Sequence, residues 1–390
     1  MDAQATQLLR FFRGLPDPRA ANRSHWLADV LAIAIMAVLC GCEGWAAVEA
    51  WGLLNADWLK TFLDLPHGIP SHDTFDRVFG LLDPLAFETC FTNWTAALVK
   101  NAKGLFVAVD GKTLRRSWKR AWSKTPVHLV SAFCMKNQLV LGQLATDSKS
   151  NEITAIPKLL AMLNIAGCTV TIDAMGCQRE IAAQILKQEG HYLLAVKENQ
   201  PTLCAKVKAL LDEGILEGFA TMRHGCFESR DQGHGRIETR RVWVSDEVNW
   251  LGEELLGLWP GLRSIVVVES LRQDLGDLAG TLSTERRYYI CSHGGADDPL
   301  AGFLAEGIRG HWGVENGLHW CLDVSLREAQ SRIRIANGAE NFSRLRRIAL
   351  NKLKRCDLKN ARGKSLKAGI RLKQQCCGWS REFLLQAMLA

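Results

Sequence analysis

Apolar residues recur every three or four positions through most of residues 1–100, the spacing that turns one face of an α-helix toward a core. Val30–Cys42 is almost continuously apolar over 13 residues. That predicts a buried helix, since a bilayer span needs about 20 such residues. Trp45–Leu54 predicts another helix. Ser71, after Pro70, stands where an N-cap belongs, and Phe75, Val78, Phe79 and Leu82 follow with helical spacing over 72–82. These two helices read either as a helix-turn-helix with His72, Asp73, Asp76 and Arg77 outward, or as two helices that simply pack; packing is the simpler reading.

Past Lys103 and Gly104 the pattern changes to β-branched runs. Leu105–Val109, Val127–Cys134 and Leu139–Thr146 predict three meandering strands. Helical spacing over Glu152–Asn164, a buried strand at Cys168–Ile172, a helix at Arg179–Gln188 and a strand at Tyr192–Val196 follow. The order βββαβαβ is that of an α/β, ribonuclease H-like fold, a mixed five-stranded sheet with helices on both faces. Between 203 and 295 one amphipathic stretch precedes strand-like runs at Arg236–Val244, Ser264–Ser270 and Arg286–Cys291, which reads as a β-rich insertion. Asp298-Pro299 starts a helix toward Leu322, although glycines 302, 307, 310, 313 and 317 each cost it about 1 kcal/mol. A final helix over Ala339–Arg355 is expected to bury Phe342, Leu345, Ile348 and Leu353 and turn its arginines outward. The expected organisation is a helical N-terminal domain over 1–100, a catalytic core over 101–202 and 296–335, the insertion over 203–295, and a basic helical region over 336–390.

With 47% hydrophobic and 23% charged residues the chain is globular, not disordered. Met1–Phe12 lacks the charged, apolar and small-residue segments of a secretory signal, so a cytoplasmic, nucleoid-associated protein without a membrane partner is expected. The 13 cysteines include no Cys-x-x-Cys pair and no four-ligand zinc spacing, and read as reduced thiols. Net charge is +7, unevenly placed. Residues 321–390 carry 16 Lys and Arg against 5 Asp and Glu, which leaves residues 1–320 net negative. A tail with Arg344, Arg346, Arg347, Lys352, Lys354, Arg355, Lys359, Arg362, Lys364 and Lys367 is expected to attract a polyanion, double-stranded DNA above all, by counterion release.

Three carboxylates are placed for chemistry. Asp110 ends the apolar run Leu105–Val109, and Asp173 ends Cys168–Ile172. In a mixed sheet these strand ends lie side by side, although a single aspartate in such a place is usually a turn former. If residues 308–322 are helical, Ile308, His311, Trp312, Glu315, His319 and Leu322 form one stripe, with Glu315 on the sheet-facing side. Carboxylates gathered at one point suit Mg²⁺, and two such ions assist phosphodiester chemistry.

These segments, Val-Asp110-Gly-Lys, Ile-Asp173-Ala-Met-Gly-Cys-Gln and Arg309-Gly-His311-Trp-Gly-Val-Glu315-Asn316-Gly-Leu-His319-Trp-Cys-Leu-Asp323-Val, resemble the DDE transposases of bacterial insertion sequences, in the group that includes the H-repeat-associated proteins. The resemblance extends to Phe12–Arg19, Lys149–Pro157, Lys197–Gln200, His234–Arg240 and Arg346–Leu350, nearly the whole chain. It implies a transposase that cuts and joins DNA with Mg²⁺, for which Mn²⁺ substitutes, and with no nucleotide cofactor. Asp110, Asp173 and Glu315 are then the catalytic metal ligands, with Asp323 as a second candidate for the third. Lys112, Lys197, Arg309, His311, Asn316, Arg344, Arg346 and Arg347 are expected at DNA, and a homodimer or larger assembly on it. One departure matters. Ile308, His311 and Leu322 stand where the wider family often has Tyr, Arg and Lys around the glutamate, so the phosphate-contacting roles of those three do not carry over.

Overall fold

The computed structural model describes residues 6–20, 23–99, 102–117, 126–146, 152–233, 235–275 and 282–390. Residues 149–151 and His234 of the motifs above lie outside them. In chain order, helices α1 (Thr6–Arg10), α2 (Leu27–Leu39), α3 (Trp45–Leu54), α4 (Ala56–Leu59), α5 (His72–Leu81) and α6 (Pro84–Leu98) precede strands β1 (Phe106–Thr113), β2 (His128–Cys134) and β3 (Leu139–Thr146). Then come α7 (Glu152–Ala161), β4 (Thr169–Ile172), α8 (Arg179–Lys187), β5 (His191–Val196) and α9 (Pro201–Leu216). β6 (Gly225–Gly233), β7 (Arg236–Ser245), α10 (Glu253–Leu258), β8 (Ser264–Asp274) and β9 (Leu282–Cys291) follow. α11 (Asp298–His311), α12 (Gly338–Arg355), α13 (Ile370–Trp379) and α14 (Arg381–Leu389) complete the chain.

Contacts divide the chain into two compact units that cut across the expected segments. Unit 1 is Met1–Lys100, Gly111–Ala155 and Glu315–Ala390, and unit 2 is Asn101–Asp110 and Ile156–Val314.

In unit 1, α2 is buried around its whole circumference, as its unbroken apolar run requires. No helix among the described residues is long and apolar enough to cross a membrane. α3 and α5 pack together: Trp45 stacks on Phe79 with ring centroids 4.7 Å apart, and the Glu49 carboxylate lies 2.6 Å from His72 Nδ1. Ser71 caps α5 by accepting from the Thr74 N–H. Strands β2 and β3 form an antiparallel hairpin with an irregularity at Ala132/Phe133. Side chains from α6 and α12 satisfy backbone groups of β3. Asn351 accepts from the Val140 N–H at 2.9 Å and donates to its carbonyl at 2.8 Å, Thr95 donates to the Leu141 carbonyl, and Glu88 accepts from the Gln143 N–H at 2.7 Å. A buried backbone donor without such a partner costs about 1–3 kcal/mol, which accounts for polar side chains in this core.

Unit 2 is built on a sheet with the order β1-β4-β5-β9-β8-β7-β6. β1, β4 and β5 are parallel; from β5 onward every pairing is antiparallel. The five-stranded expectation is therefore corrected, with nine strands among the described residues. The insertion does not fold apart from the core. β9 pairs with β5 from Leu193↔Cys291 to Val196↔Tyr288, so the inserted strands extend the sheet. β6 escapes a reading by pattern because, beyond Gly225, its residues are mostly exposed and do not alternate. α11 tolerates its glycines because one of them is needed: a Cβ on Gly307 would overlap the Phe106 ring of β1.

Beyond α11 the helix changes its winding. Glu315–His319 and Cys321–Ser325, both in unit 1, are π-helical, wider than an α-helix, with i→i+5 hydrogen bonds. The single stripe expected over 308–322 assumed α-helical winding throughout and is not formed. Leu322 is fully buried and His319 nearly so, whereas Trp312 is 56% exposed and Glu315 is open to solvent.

Candidate active site

β1 and β4 run parallel, with register from Phe106↔Thr169 to Val109↔Ile172. The next residue on each strand is Asp110 and Asp173. Neighbouring strands lie about 4.8 Å apart, so the two aspartates stand side by side where the parallel pairing ends, Asp173 just past β4 and Asp110 inside β1, which runs on to Thr113 where the sequence suggests a strand closing at Val109. Four buried positions before each aspartate hold them there, all apolar in β1 and alternating with Thr169 and Thr171 in β4. Asp110 is half-buried and Asp173 exposed. Asp173 also makes its own turn, Oδ1 accepting from the N–H groups of Met175 and Gly176 at 3.1 and 3.4 Å, as the turn-former reading expects.

The same edge carries residues from β5 and α11. Lys197 follows β5 directly and is exposed. Asn199 donates to the Ala174 carbonyl, and Gln200 to that of Cys177 at 3.0 Å. The Lys197–Gln200 motif thus braces the turn behind Asp173, a role that sequence reasoning did not see. His311 Nδ1 lies 3.0 Å from Thr171 Oγ1, two residues before Asp173 on β4. Arg309 is exposed and paired with Asp231 of β6.

Glu315 heads the π-helical segment, and Asn316 beside it is exposed. Lys354 of α12 donates to the Gly317 carbonyl at 2.6 Å and so holds this turn from unit 1. Burial pushes the Lys354 ammonium down to about 8. Asp323 binds Lys112, Nζ to Oδ1 being 2.6 Å, and the same ammonium donates to Glu328 at 3.0 Å. Glu328 is buried without exposure and also accepts from Ser343 at 2.6 Å and Arg347 at 3.2 Å. Burial alone would raise its carboxyl; Lys112, Arg347, Arg346 and the Ser343 hydroxyl outweigh that and hold it far below the usual range.

Of the cations expected at DNA, Arg344, Arg346 and Arg347 are corrected by their burial, while Lys112 is held within the protein. Lys112 is engaged by two carboxylates. Arg344, Arg346 and Arg347 do not turn outward on α12 but are among the most deeply buried large side chains of unit 1. Arg344 donates to Glu88 at 2.5 Å and to Asn341 at 2.8 Å, and Arg346 donates to the Leu326 carbonyl at 3.2 Å over the Phe342 ring. Glu88 and Glu328 from outside the helix, together with Glu340 one turn before Arg344, neutralise a helix that looks mainly basic when read locally. Exposed cations of the tail are instead Arg355, Arg371 and Arg381 and, in the stretch between α12 and α13, Lys359, Arg362, Lys364 and Lys367.

For a divalent metal, Asp110 and Asp173 are the fitting donors. Among the described residues no three His, Cys, Asp or Glu side chains form a ready cage. Mg²⁺ does not need one: it is commonly held by one or two carboxylates together with substrate phosphates and water. All thirteen cysteines are free thiols.

Comparison with known proteins agrees along the whole chain. Residues 9–95 match the family described as DDE_Tnp_1-associated, and residues 101–352 match the one described as Transposase DDE domain. The "H repeat-associated putative transposase YhhI" of Escherichia coli (strain K12) is 39% identical over 386 residues, 98% of this chain and 97% of that protein. The "Putative transposase YncI" of Escherichia coli O157:H7 is 38% identical over 369 residues, 94% of this chain and 90% of that one. A piggyBac transposase synaptic complex with hairpin DNA superposes over 96% of this chain and 76% of its own at a TM-score of 0.37 and 10% identity, too distant to carry an inference. On the extent of the DDE-domain match and of the relatives' identity, the chain is a member of the transposase DDE domain family.

Proposed function

We propose that the protein cleaves DNA strands at the ends of a mobile element and joins the exposed 3′-hydroxyl to target DNA, with Asp110, Asp173 and Glu315 holding the divalent metal. The observation that carries this reading is the pair Asp110 and Asp173, each one residue beyond the Val109↔Ile172 pair with which the parallel pairing of β1 and β4 ends. Glu315 is assigned by its motif. Divalent ions, Mg²⁺ or in its place Mn²⁺, supply charge that neutralises the phosphodiester and activates the attacking oxygen. Asp110 and Asp173 hold them. Lys197, at the neighbouring strand end, offers a cation to a phosphate, Arg309 and His311 offer donors at the end of α11, and Asn316 is assigned by its motif. Lys359, Arg362, Lys364 and Lys367 give the duplex a sequence-independent grip. Two ends have to be joined, so the working form is at least a dimer on DNA, acting in the cytoplasm at the nucleoid.

The test incubates the full chain with labelled element ends and a target plasmid in Mg²⁺. Joined products are expected, with Asp110→Asn, Asp173→Asn and Glu315→Gln each abolishing them while DNA binding persists. Nicks without joined species would make the protein a hydrolase of the same fold. Binding without any cleavage by the parent would make it a DNA-binding descendant. Asp323→Asn retains cleavage on this reading, because its carboxylate serves Lys112; a dead Asp323→Asn beside an active Glu315→Gln would reassign the third carboxylate.

A further inference from the structure

Immediately after Asp110, β1 passes from unit 2 into unit 1, and the three residues that follow are held by polar groups. Glu152 Oε1 lies 2.6 Å from His128 Nε2, and His128 Nδ1 lies 2.8 Å from Thr113 Oγ1. His128 is 2% and Glu152 6% exposed. Both pack on Gly111: a Cβ there would overlap the Glu152 carboxylate and come within 2.7 Å of His128 Nε2. On the alternate face of the strand Lys112 is tied to Asp323 and Glu328. Buried polar groups are costly unless they are satisfied, and a satisfied chain of them fixes one geometry. Leu, Val or Phe would fill this space without that cost. The glutamate belongs to a motif, Lys149–Pro157, for which the reading above has no use.

We propose that Glu152, His128 and Thr113 are positioning residues that set the carboxylate of Asp110 for metal. In the tautomer that satisfies every partner, Thr113 donates to Nδ1 and Nε2–H donates to Glu152. Glu152 seats against the backbone of Gly111, which only a glycine permits, and the peptide that begins at Asp110 is clamped on both faces. The relay touches neither DNA nor metal. It acts through the backbone, and the proposal rests on the assignment of Asp110 as a metal carboxylate.

The experiment measures Mn²⁺ affinity of the full chain without DNA by titration under electron paramagnetic resonance, and the Mg²⁺ concentration for half-maximal cleavage. Variants are Thr113→Val, Thr113→Ser, His128→Asn, Glu152→Gln and, in parallel, Asp110→Asn. Thr113→Val and His128→Asn should weaken Mn²⁺ binding and raise the Mg²⁺ half-point by about tenfold, with metal-free DNA affinity within about twofold of the parent. Thr113→Ser, which keeps the hydroxyl, should recover most of the loss; Glu152→Gln, which keeps an acceptor, should fall between. If His128→Asn does not fold, the conservative Thr113 pair decides. Folded variants whose Mn²⁺ affinity and Mg²⁺ half-point match the parent overturn the proposal. The two failures are distinct: an Asp110→Asn protein that binds Mn²⁺ like the parent refutes the Asp110 assignment itself, whereas a dead Asp110→Asn beside unaffected relay variants refutes only the relay.

Discussion

Arg344→Met tests where the basic charge of α12 goes. The guanidinium and its partner Glu88 are both without solvent exposure, with Nε to Oε2 at 2.5 Å. Glu88 also accepts from the Gln143 N–H, and Arg344 lies 5.3 Å over the Phe87 ring. Burial pushes the Glu88 carboxyl up, and the Arg344 charge is the main influence pulling it back. Removing the arginine leaves a buried carboxylate without its ion-paired partner, a loss of about 3–5 kcal/mol. At about 2.1 cal/mol/K per residue, melting of unit 1 alone, roughly 220 residues, would turn that into a fall of about 6–11 °C in Tm. Melting of the whole chain together gives about 4–6 °C. Calorimetry reads the midpoint, and fluorescence anisotropy on labelled duplex reads the salt dependence of binding. The slope of log K against log salt should not change in the folded variant. Glu88→Gln added to Arg344→Met should recover much of the loss, since the amide is neutral and still accepts from Gln143. A Tm within about 1 °C of the parent, together with a slope smaller by about 0.9, the value of one phosphate contact, would refute the buried pair and return Arg344 to the DNA surface.

Replacing Lys359, Arg362 and Lys364 with alanine should flatten the salt slope by up to about 2.7 and leave Tm near the parent's; an unchanged slope would make that stretch a merely solvated one. Glu328, held far below its unfolded range near 4.5, contributes stability that is present above that pH and drains away as pH falls through the folded value. Thermal melts of Glu328→Gln should therefore show a lower Tm at pH 7 and a flatter profile from about pH 5 downward, and a parental profile would contradict the network with Lys112 and Arg347. His293, stacked on His191 at 3.9 Å, is pushed down to about 4, first by burial and then by His191. The unfolded chain takes up that proton near pH 6.5 and the native state does not, so stability should fall from about pH 6.5 toward 4, and less so in His293→Gln. A variant that loses Tm over this range as the parent does would place the acid sensitivity elsewhere.

Much of this protein is decided locally and is legible along the chain. The helices at Trp45–Leu54 and 72–82, the meander of β1–β3 and the alternation that follows are set by spacing and caps, which depend on near neighbours. The place of Asp173 just past β4 comes with them, because a charge that closes a buried run has few other places to go; Asp110, by contrast, lies inside β1, which continues to Thr113. What the sequence leaves open is whatever depends on distant partners. Nothing near Arg344, Arg346 and Arg347 shows that Glu88 and Glu328 neutralise them, since these lie 256 and 19 residues away from Arg344 and Arg347. The winding of 315–325 cannot be read from spacing either, because an α-helical stripe assumes the geometry it is used to infer, and here Lys354 and the Lys112 network hold a wider turn. The inserted strands look like a separate body on paper; only the pairing of β9 with β5 makes them part of the sheet. The contacts among Glu152, His128 and Thr113 join residues apart in the chain, of which only Glu152 lies in a segment that the sequence picks out, and the lack of room at Gly111 shows only in the fold. Short-range propensity places the elements, whereas neutralised charge, winding and register are products of packing, where the free energy of a group is set by neighbours that the chain order does not show.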